Sequence, residues 1–429
     1  MEKDLKLTFI SRSDLRGGAA IVTYRLVVAL RELGVDARML VCEKISHSDF
    51  VRVCAPFRKI QYCFLKERLG VYVRNGFKKS TLFKIDTASE GLPLWSHPWV
   101  KDADAIFLGW VNQGMLSFKG LRKIIALAKP VVWIMHDMWN MTGICHHAEG
   151  CTGYLRQCGD CPLLGKKAHH NDISHHIWEV KKKLYAPGRI RFVAVSTWLA
   201  NKAEQSGLMN DLVVKVIPNP FHISTADDVR DRAGKRNGPV RIIFGAARLD
   251  DPIKGLPVLK KAMEVLRSSY PDVASNVELV TFGAFKNIDN LRNFAVHHIH
   301  LGVLKGAEEI KQAYSDCDIV VSTSDYETLP GTLVEGQAYG CIPVAIDHGG
   351  QRDIVEHLKT GWLATWNDSP SIRAGMVAEG IVWAYRNVDN HDLLVRMKKS
   401  VQKKFSAPEV ARRILDFTFP DSVSLQDVR

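Results

Sequence analysis

Two carboxylates with seven residues between them, Glu327 and Glu335, sit in the segment SDYETLPGTLVEGQAYGCIPVAIDHGGQRDIVE, residues 324–356. A strand ends at Thr323 and Ser324, a loop presents Glu327, and a helix opens near Gly331 and carries Glu335 about one turn in. The open start of a helix offers unpaired N–H groups and the positive end of a dipole, a seat for a diphosphate. With an anion there, Glu335 can accept hydrogen bonds from ribose hydroxyls and Glu327 can face a sugar carried on the nucleotide. The intervening Leu329, Pro330, Gly331, Thr332 and Leu333 then become donor-facing candidates. Upstream, GAARLDDPIKGLPVL places Arg248 after a strand and Lys254 just before a helix. Two cations on one loop can stabilise a diphosphate leaving group as charge develops on it. Taken singly, such charges are more often solvated surface residues; here they occur together.

Other candidates lie in the first half of the chain. Gly17 and Gly18 fall between a strand and a helix, where a missing Cβ lets backbone approach a ligand. His136 and Asp137 follow the strand PVVWIM, at the carboxyl edge where open α/β sheets bind ligands. His136 could contact a sugar or an acceptor; a buried histidine satisfied by backbone is an equal alternative. Cys145, Cys151, Cys158 and Cys161 end in Cys-x-x-Cys, and two readings stand: four ligands of one structural zinc, or free thiols in a rigid loop. His169, His175 and His297 lack metal-ligand spacing and read as surface residues.

The elements that must position these groups alternate in type. Strand runs at Leu5, Val35, Ala103, Pro130, Arg191 and Val213, with a helix over about 19–33, predict one doubly wound parallel sheet. Residues 221–239 are polar and charged and read as a linker. The pattern then restarts with strands at Val240, Val277, Cys317 and Cys341, a clear helix over 256–268, and a tail over 374–418 that reads as helical throughout. A chain of 429 residues is too long for one core. The expected domains are 1–222 and 223–429.

The hydrophobic fraction of 46% and charged fraction of 24% suit an ordinary globular protein. No run reaches the ~18 apolar residues of a membrane span, and MEKDLKLTFISRS does not resemble a signal peptide, so a cytoplasmic chain with reduced cysteines is expected. A net charge of +12 points to an anionic partner. No RNA-recognition signature, zinc-finger spacing or basic heptad appears, so nucleic acid is not expected. From Val51 to Lys84 nine Lys or Arg face one Glu, interleaved with aromatic residues. Such a stretch can lie on an anionic bilayer or be a basic solvated face.

The run from Glu327 through Glu335 to Gly349 and Gly350 resembles the signature of the family 4 glycosyltransferases. Gly-Phe-Gly often follows the first glutamate in that family, whereas Thr328, Leu329 and Pro330 follow it here. The resemblance implies an α/β GT-B fold: two facing Rossmann-like doubly wound domains, with C-terminal helices packing back on the first. It implies a nucleotide-sugar donor held mainly by the second domain, an acceptor held mainly by the first, retention of anomeric configuration, and no metal for the chemistry. Glu327 would contact the donor sugar, Glu335 the ribose, and Arg248 and Lys254 the diphosphate; the Gly17–Gly18 turn would match the glycine-rich loop. The segment HDMWNMTGICHHAEGCTGYLRQCGDCPLL resembles a narrower subgroup, the glycosyltransferases of colanic-acid and capsular polysaccharide synthesis. Transfer of a hexose-type sugar to a lipid-linked saccharide is the expected activity, and that acceptor favours the bilayer reading of 51–84. A nucleotide-sugar epimerase and a non-catalytic scaffold of a polysaccharide assembly complex are the rivals. A dehydrogenase is disfavoured because no Gly-x-Gly-x-x-Gly follows the first strand.

Overall fold

A computed structural model describes residues 5–223 and 238–420. The chain forms two compact units, Met1–Pro220 with Ala407–Arg429, and Phe221–Ser406. The middle of the expected linker, 224–237, lies outside the described residues.

The first unit contains β1 (Lys6–Ser13), α1 (Gly18–Glu32), β2 (Asp36–Glu43), β3 (Val51–Val53), α2 (Phe57–Arg74), α3 (Pro98–Asp102), β4 (Ala105–Leu108), α4 (Phe118–Ile125), β5 (Val131–Met135), α5 (Ile173–Tyr185), β6 (Ile190–Ala194), α6 (Thr197–Glu204) and β7 (Val214–Val216). All its strands are parallel, in the order β3-β2-β1-β4-β5-β6-β7. Every residue of AIFL in β4 and VVWIM in β5 is buried, the mark of strands covered on both faces by crossover helices.

The second unit contains β8 (Val240–Arg248), α7 (Leu256–Ser269), α8 (Pro271–Ala274), β9 (Val277–Ala284), β10 (His297–His300), α9 (Ala307–Ser315), β11 (Ile319–Ser322), α10 (Gly331–Ala338), β12 (Ile342–Asp347), α11 (Gln351–Ile354), β13 (Trp362–Thr365), α12 (Pro370–Arg386) and α13 (His391–Phe405). Its parallel sheet runs β10-β9-β8-β11-β12-β13. α7 buries Leu256, Leu259, Met263 and Leu266, at helical spacing, in a core that also takes Val377 and Ile381 of α12. Gly255 ahead of α7 holds a left-handed φ of 70°, and Pro257 in the first turn needs no donor there.

The second domain is expected to run to residue 429 with its terminal helices packing back on the first; the unit ends at Ser406, and α14 (Ala407–Thr418) groups with the first unit and packs on α1, burying Val410, Ala411, Ile414 and Leu415. β3, β10 and β13 were not legible as strands. All three are edge strands of three or four residues, too short and too exposed to carry an apolar run. His297, read as a surface residue, is exposed but belongs to β10, where its ring meets Glu278 at 2.7 Å.

Candidate functional site

Both sheets place their first strand beside their fourth, so consecutive crossovers leave in opposite directions and a crevice opens at the carboxyl edge between those two strands. In the second unit the flanking strands are β8 and β11; Arg248 ends β8, and the loops that leave the two strands carry Lys254 and Glu327.

These loops are fastened to each other along their backbones. Thr323 Oγ1 donates to the carbonyls of Lys254 and Gly255, at 3.1 and 2.9 Å, and the Asp325 N–H donates to Ile253 O at 2.8 Å. A Cβ on Gly255 would stand 1.9 Å from Thr323 O, so this approach admits only glycine. The Lys254 ammonium then meets the Glu327 carboxylate as an ion pair, and Ser324 Oγ donates to the same oxygen at 3.3 Å. Behind Glu327, the Gly350 N–H donates to the Glu327 carbonyl at 2.9 Å. Side chains at Gly349 and Gly350 would collide with the carbonyls of Glu327 and Thr328, at 2.2 and 2.1 Å. The glycine pair is therefore the seat on which the Glu327 loop rests.

Arg248 turns to its own loop, with a guanidinium nitrogen 2.9 Å from Asp251 and Nε 3.5 Å from Asp250. It is more than a third exposed and is not paired to Glu327. α10 starts at Gly331 with no side-chain cap at Pro330. The first N–H groups of such a helix start have no acceptor from a preceding turn, although the Leu333 N–H bonds to Pro330 O. Leu333 needs correcting as a ligand-facing residue: its side chain is fully buried, and its N–H bonds to Pro330 O. Leu329 and Pro330 are buried as well, while Gly331 and Thr332 are half-buried. Glu335, half-buried one turn along, lies near Tyr314; burial first, then this carboxylate, push the phenol well above its ordinary pKa.

A buttress absent from the sequence reading holds the loop from the other side. Asp325 pairs with Arg373 of α12, whose guanidinium lies 4.2 Å from the Trp366 ring centre; His348 stacks on the same ring at 3.7 Å and its Nδ1 donates to Asp325 O.

The first unit furnishes its carboxyl edge differently. Gly17 has φ 90° and a Cβ on Gly17 or Gly18 would meet nothing within 4 Å, so this turn borders open space. Asp14 beneath it is buried and accepts from the N–H groups of Leu15, Ile45 and Ser46, each at 2.9 Å. His136 follows β5; the residue is half-buried, but its Nε2 is sealed from solvent without a hydrogen-bond partner. Burial lowers its pKa to about 4, leaving a neutral imidazole at neutral pH. Asp137 is fully committed, accepting from Trp110 Nε1 at 3.0 Å, the Trp139 N–H at 2.8 Å and the His146 ring at 2.8 Å. Burial alone would raise its pKa, but His146, His147 and the Trp139 N–H outweigh that and hold it below the ordinary range.

Cys145, Cys151, Cys158 and Cys161 line one small cavity with Tyr154 and Ile144. The Gly143 N–H donates to Cys158 Sγ at 3.2 Å, His175 Nδ1 donates to Cys158 O at 3.2 Å, and Asp172 accepts from the Cys161 N–H at 2.8 Å. His175 is thus a half-buried brace of this loop, whereas His169 is exposed. Burial pushes the Cys145 and Cys158 thiols up to about 12 and about 11. Among the described residues no three His, Cys, Asp or Glu side chains stand ready to hold a metal ion. Lys181 of α5, unnoticed in the sequence, is buried under the same loop, donating to the carbonyls of Trp139 and Thr142. Burial lowers its pKa to about 7.

Two Rossmann-like units, the second with paired opposite charges at its switch point, make this a protein of GT-B fold. Residues 227–379, within the second unit, match the family Glycosyl transferases group 1. Similar proteins include WcaC of Escherichia coli (strain K12), named for a glycosyl transferase role in colanic acid biosynthesis, 23% identical over 53% of this chain and 54% of that one. The amylovoran biosynthesis glycosyltransferase AmsK of Erwinia amylovora is 26% identical over 49% of this chain and 54% of that one. The matches span about half the length of these relatives. Among solved structures, the Anabaena protein Alr3699/HepE, in complex with UDP and glucose, is similar in fold, with a TM-score of 0.58, 18% identity and coverage of 96% of this chain and 99% of that one.

Proposed function

We propose that this chain is a retaining glycosyltransferase of the cytoplasm that moves a hexose-type sugar from a nucleoside diphosphate to a lipid-linked saccharide in cell-surface polysaccharide synthesis. The observation that carries the reading is the Lys254–Glu327 pair, seated on Gly349–Gly350 beside the uncapped start of α10, in the segment that matches glycosyl transferases group 1. An arriving diphosphate exchanges partners with this pair. Lys254 and Arg248 turn to phosphate oxygens, the α10 N–H groups take the remainder, and Glu327 is released toward the sugar hydroxyls. Glu335, half-buried one turn into α10, would accept hydrogen bonds from the ribose hydroxyls. As the bond between the anomeric carbon and the phosphate oxygen breaks, its electron pair leaves with the nucleoside diphosphate, the acceptor hydroxyl oxygen bonds to that carbon from the same face and passes its proton to the departing phosphate oxygen, and the two cations stabilise the diphosphate in place of a divalent metal. In the first unit, His136 is a neutral imidazole at the carboxyl edge, and because its Nε2 is sealed, contact with an acceptor or sugar hydroxyl requires the residues covering it to move aside. The polysaccharide roles in the names of WcaC and AmsK support the biological setting, and the UDP and glucose bound to HepE place UDP-sugars first among donors to try.

The test follows nucleoside diphosphate release and thermal stabilisation over a panel of UDP- and GDP-sugars, with Glu327→Ala/Glu335→Ala as control. Stabilisation by one donor, with acceptor-dependent release that the variant loses and a product of unchanged anomeric configuration, is the expected result. Isomerised free sugar nucleotide would identify an epimerase instead, and absence of any donor binding would leave a scaffold. The cysteine loop is assigned a structural role apart from the chemistry. A zinc there needs the four thiols to turn into their shared cavity, and elemental analysis distinguishes about one zinc per chain from four free thiols.

A further inference from the structure

α2 is inverted relative to an ordinary surface helix. Its central charges are buried. Glu67 is fully enclosed and its carboxylate accepts from the N–H and hydroxyl groups of Thr87 and Ser89 and the N–H of Glu90, at 2.6–3.1 Å. Arg68 donates to the carbonyls of Leu82 and Ile85 and pairs with Asp86. Its outer face is apolar: Tyr62, Leu65, Leu69 and Val73 form a stripe at helical spacing, each 48–62% exposed. Phe57 precedes the stripe and Phe77 and Phe83 follow it, so seven of the fifteen exposed large apolar side chains among the described residues fall within 57–83.

Such a concentration is uncommon on a monomer's surface unless something covers it. The chemistry of the rim says what. Arg58 and Lys59 are exposed in the first turn, Lys66 lies within the stripe, where it pairs with Glu90 at 2.9 Å, and Arg74, Lys78 and Lys79 are exposed at the far end. Glu67, the helix's one acid, points inward. A second copy docked through the same face would bring cations against cations. An anionic bilayer answers both features, taking the aromatic and aliphatic side chains among its headgroups while lipid phosphates meet the cations. No helix of the described residues is long and apolar enough to cross a membrane, so the contact is a surface one.

We infer that the outer face of α2, with the segment through Lys84, is a docking surface for an anionic phospholipid membrane. The helix is presented ready-made, because the Glu67 and Arg68 hydrogen bonds fix its orientation from beneath. This inference stands whether or not the chain transfers a sugar.

The test is co-sedimentation of the full chain with vesicles of phosphatidylcholine alone or containing about 30% phosphatidylglycerol. Leu65→Ser/Leu69→Ser and Lys78→Glu/Lys79→Glu are the variants; all four side chains point to solvent, and unchanged thermal melting verifies that each is folded. Binding should require the anionic lipid, fall about tenfold in the leucine variant, and drop about fivefold for each cation replaced in the other. A wild-type chain that ignores anionic vesicles overturns the inference, as do variants that bind equally well. A wild-type dimer that Leu65→Ser/Leu69→Ser dissociates, with no vesicle binding, overturns it in favour of self-association.

Discussion

The two sheets share a strand order, yet their carboxyl edges are equipped in opposite ways. At the edge of the second, opposite charges stand half-exposed in pairs, Lys254 with Glu327 and Arg248 with Asp251, on loops pinned by backbone contacts. At the edge of the first, the polar groups are buried; Asp137 has all its partners and His136 Nε2 has none. A half-exposed ion pair can release one member to an arriving anion at small cost, because water screens what is left behind. A buried, fully bonded carboxylate cannot do so without stranding its donors. One fold thus supports half-exposed charge pairs at one edge and a closed, fully bonded carboxylate at the other.

The largest effect expected from this contrast is on turnover. Lys254→Ala should lower donor-dependent nucleoside diphosphate release by about 10²–10³-fold, the loss typical of one charge-stabilising donor. Loss of less than about threefold would show that the exchangeable pair is not at the reacting centre. Next comes acid sensitivity in the first unit. His136 has a folded pKa of about 4 against an ordinary 6.5, so between these values the unfolded chain binds a proton that the folded chain refuses. Stability from this group is complete above about pH 6.5 and declines as pH falls toward 4, by up to about 3 kcal/mol. Urea unfolding at several pH values should show a steeper acid loss for the wild type than for His136→Asn; parallel curves would place the imidazole in water. The third and smallest effect separates the glycine turns. Gly350→Ala drives a Cβ into Thr328 O and should cost about 1–3 kcal/mol in chemical denaturation. Gly18→Ala meets open space and should stay within about 0.5 kcal/mol of wild type. Equal costs would remove the distinction between a pinned loop and an open one.

What could be read in advance follows the same division. Arg248, Lys254, Glu327 and Glu335 were legible because each lies within a few residues of a strand end or helix start, where local sequence decides position. The buttress of Asp325, His348, Trp366 and Arg373 was not, since its members come from four separate segments and meet only once the sheet has formed. In the first unit, His136 and Asp137 looked alike as neighbours at one strand end. Only the fold reveals that Trp110 and His146 claim the aspartate and leave the histidine nitrogen alone. Lys181 belongs to the same class of omission: a lysine on a helix reads as solvated until the loop above it supplies carbonyls.

The return of α14 to the first unit bears on how the chain is made. A ribosome delivers β1 to β7 early, but the apolar face of α1 that Val410, Ile414 and Leu415 cover stays bare until the last helix emerges. The second unit, complete by Ser406, can finish folding before the first one closes. Synthesis therefore proceeds as a nested assembly, with the outer unit opened first and sealed last, and a premature stop before Ala407 would yield a finished inner unit attached to an unsealed outer one.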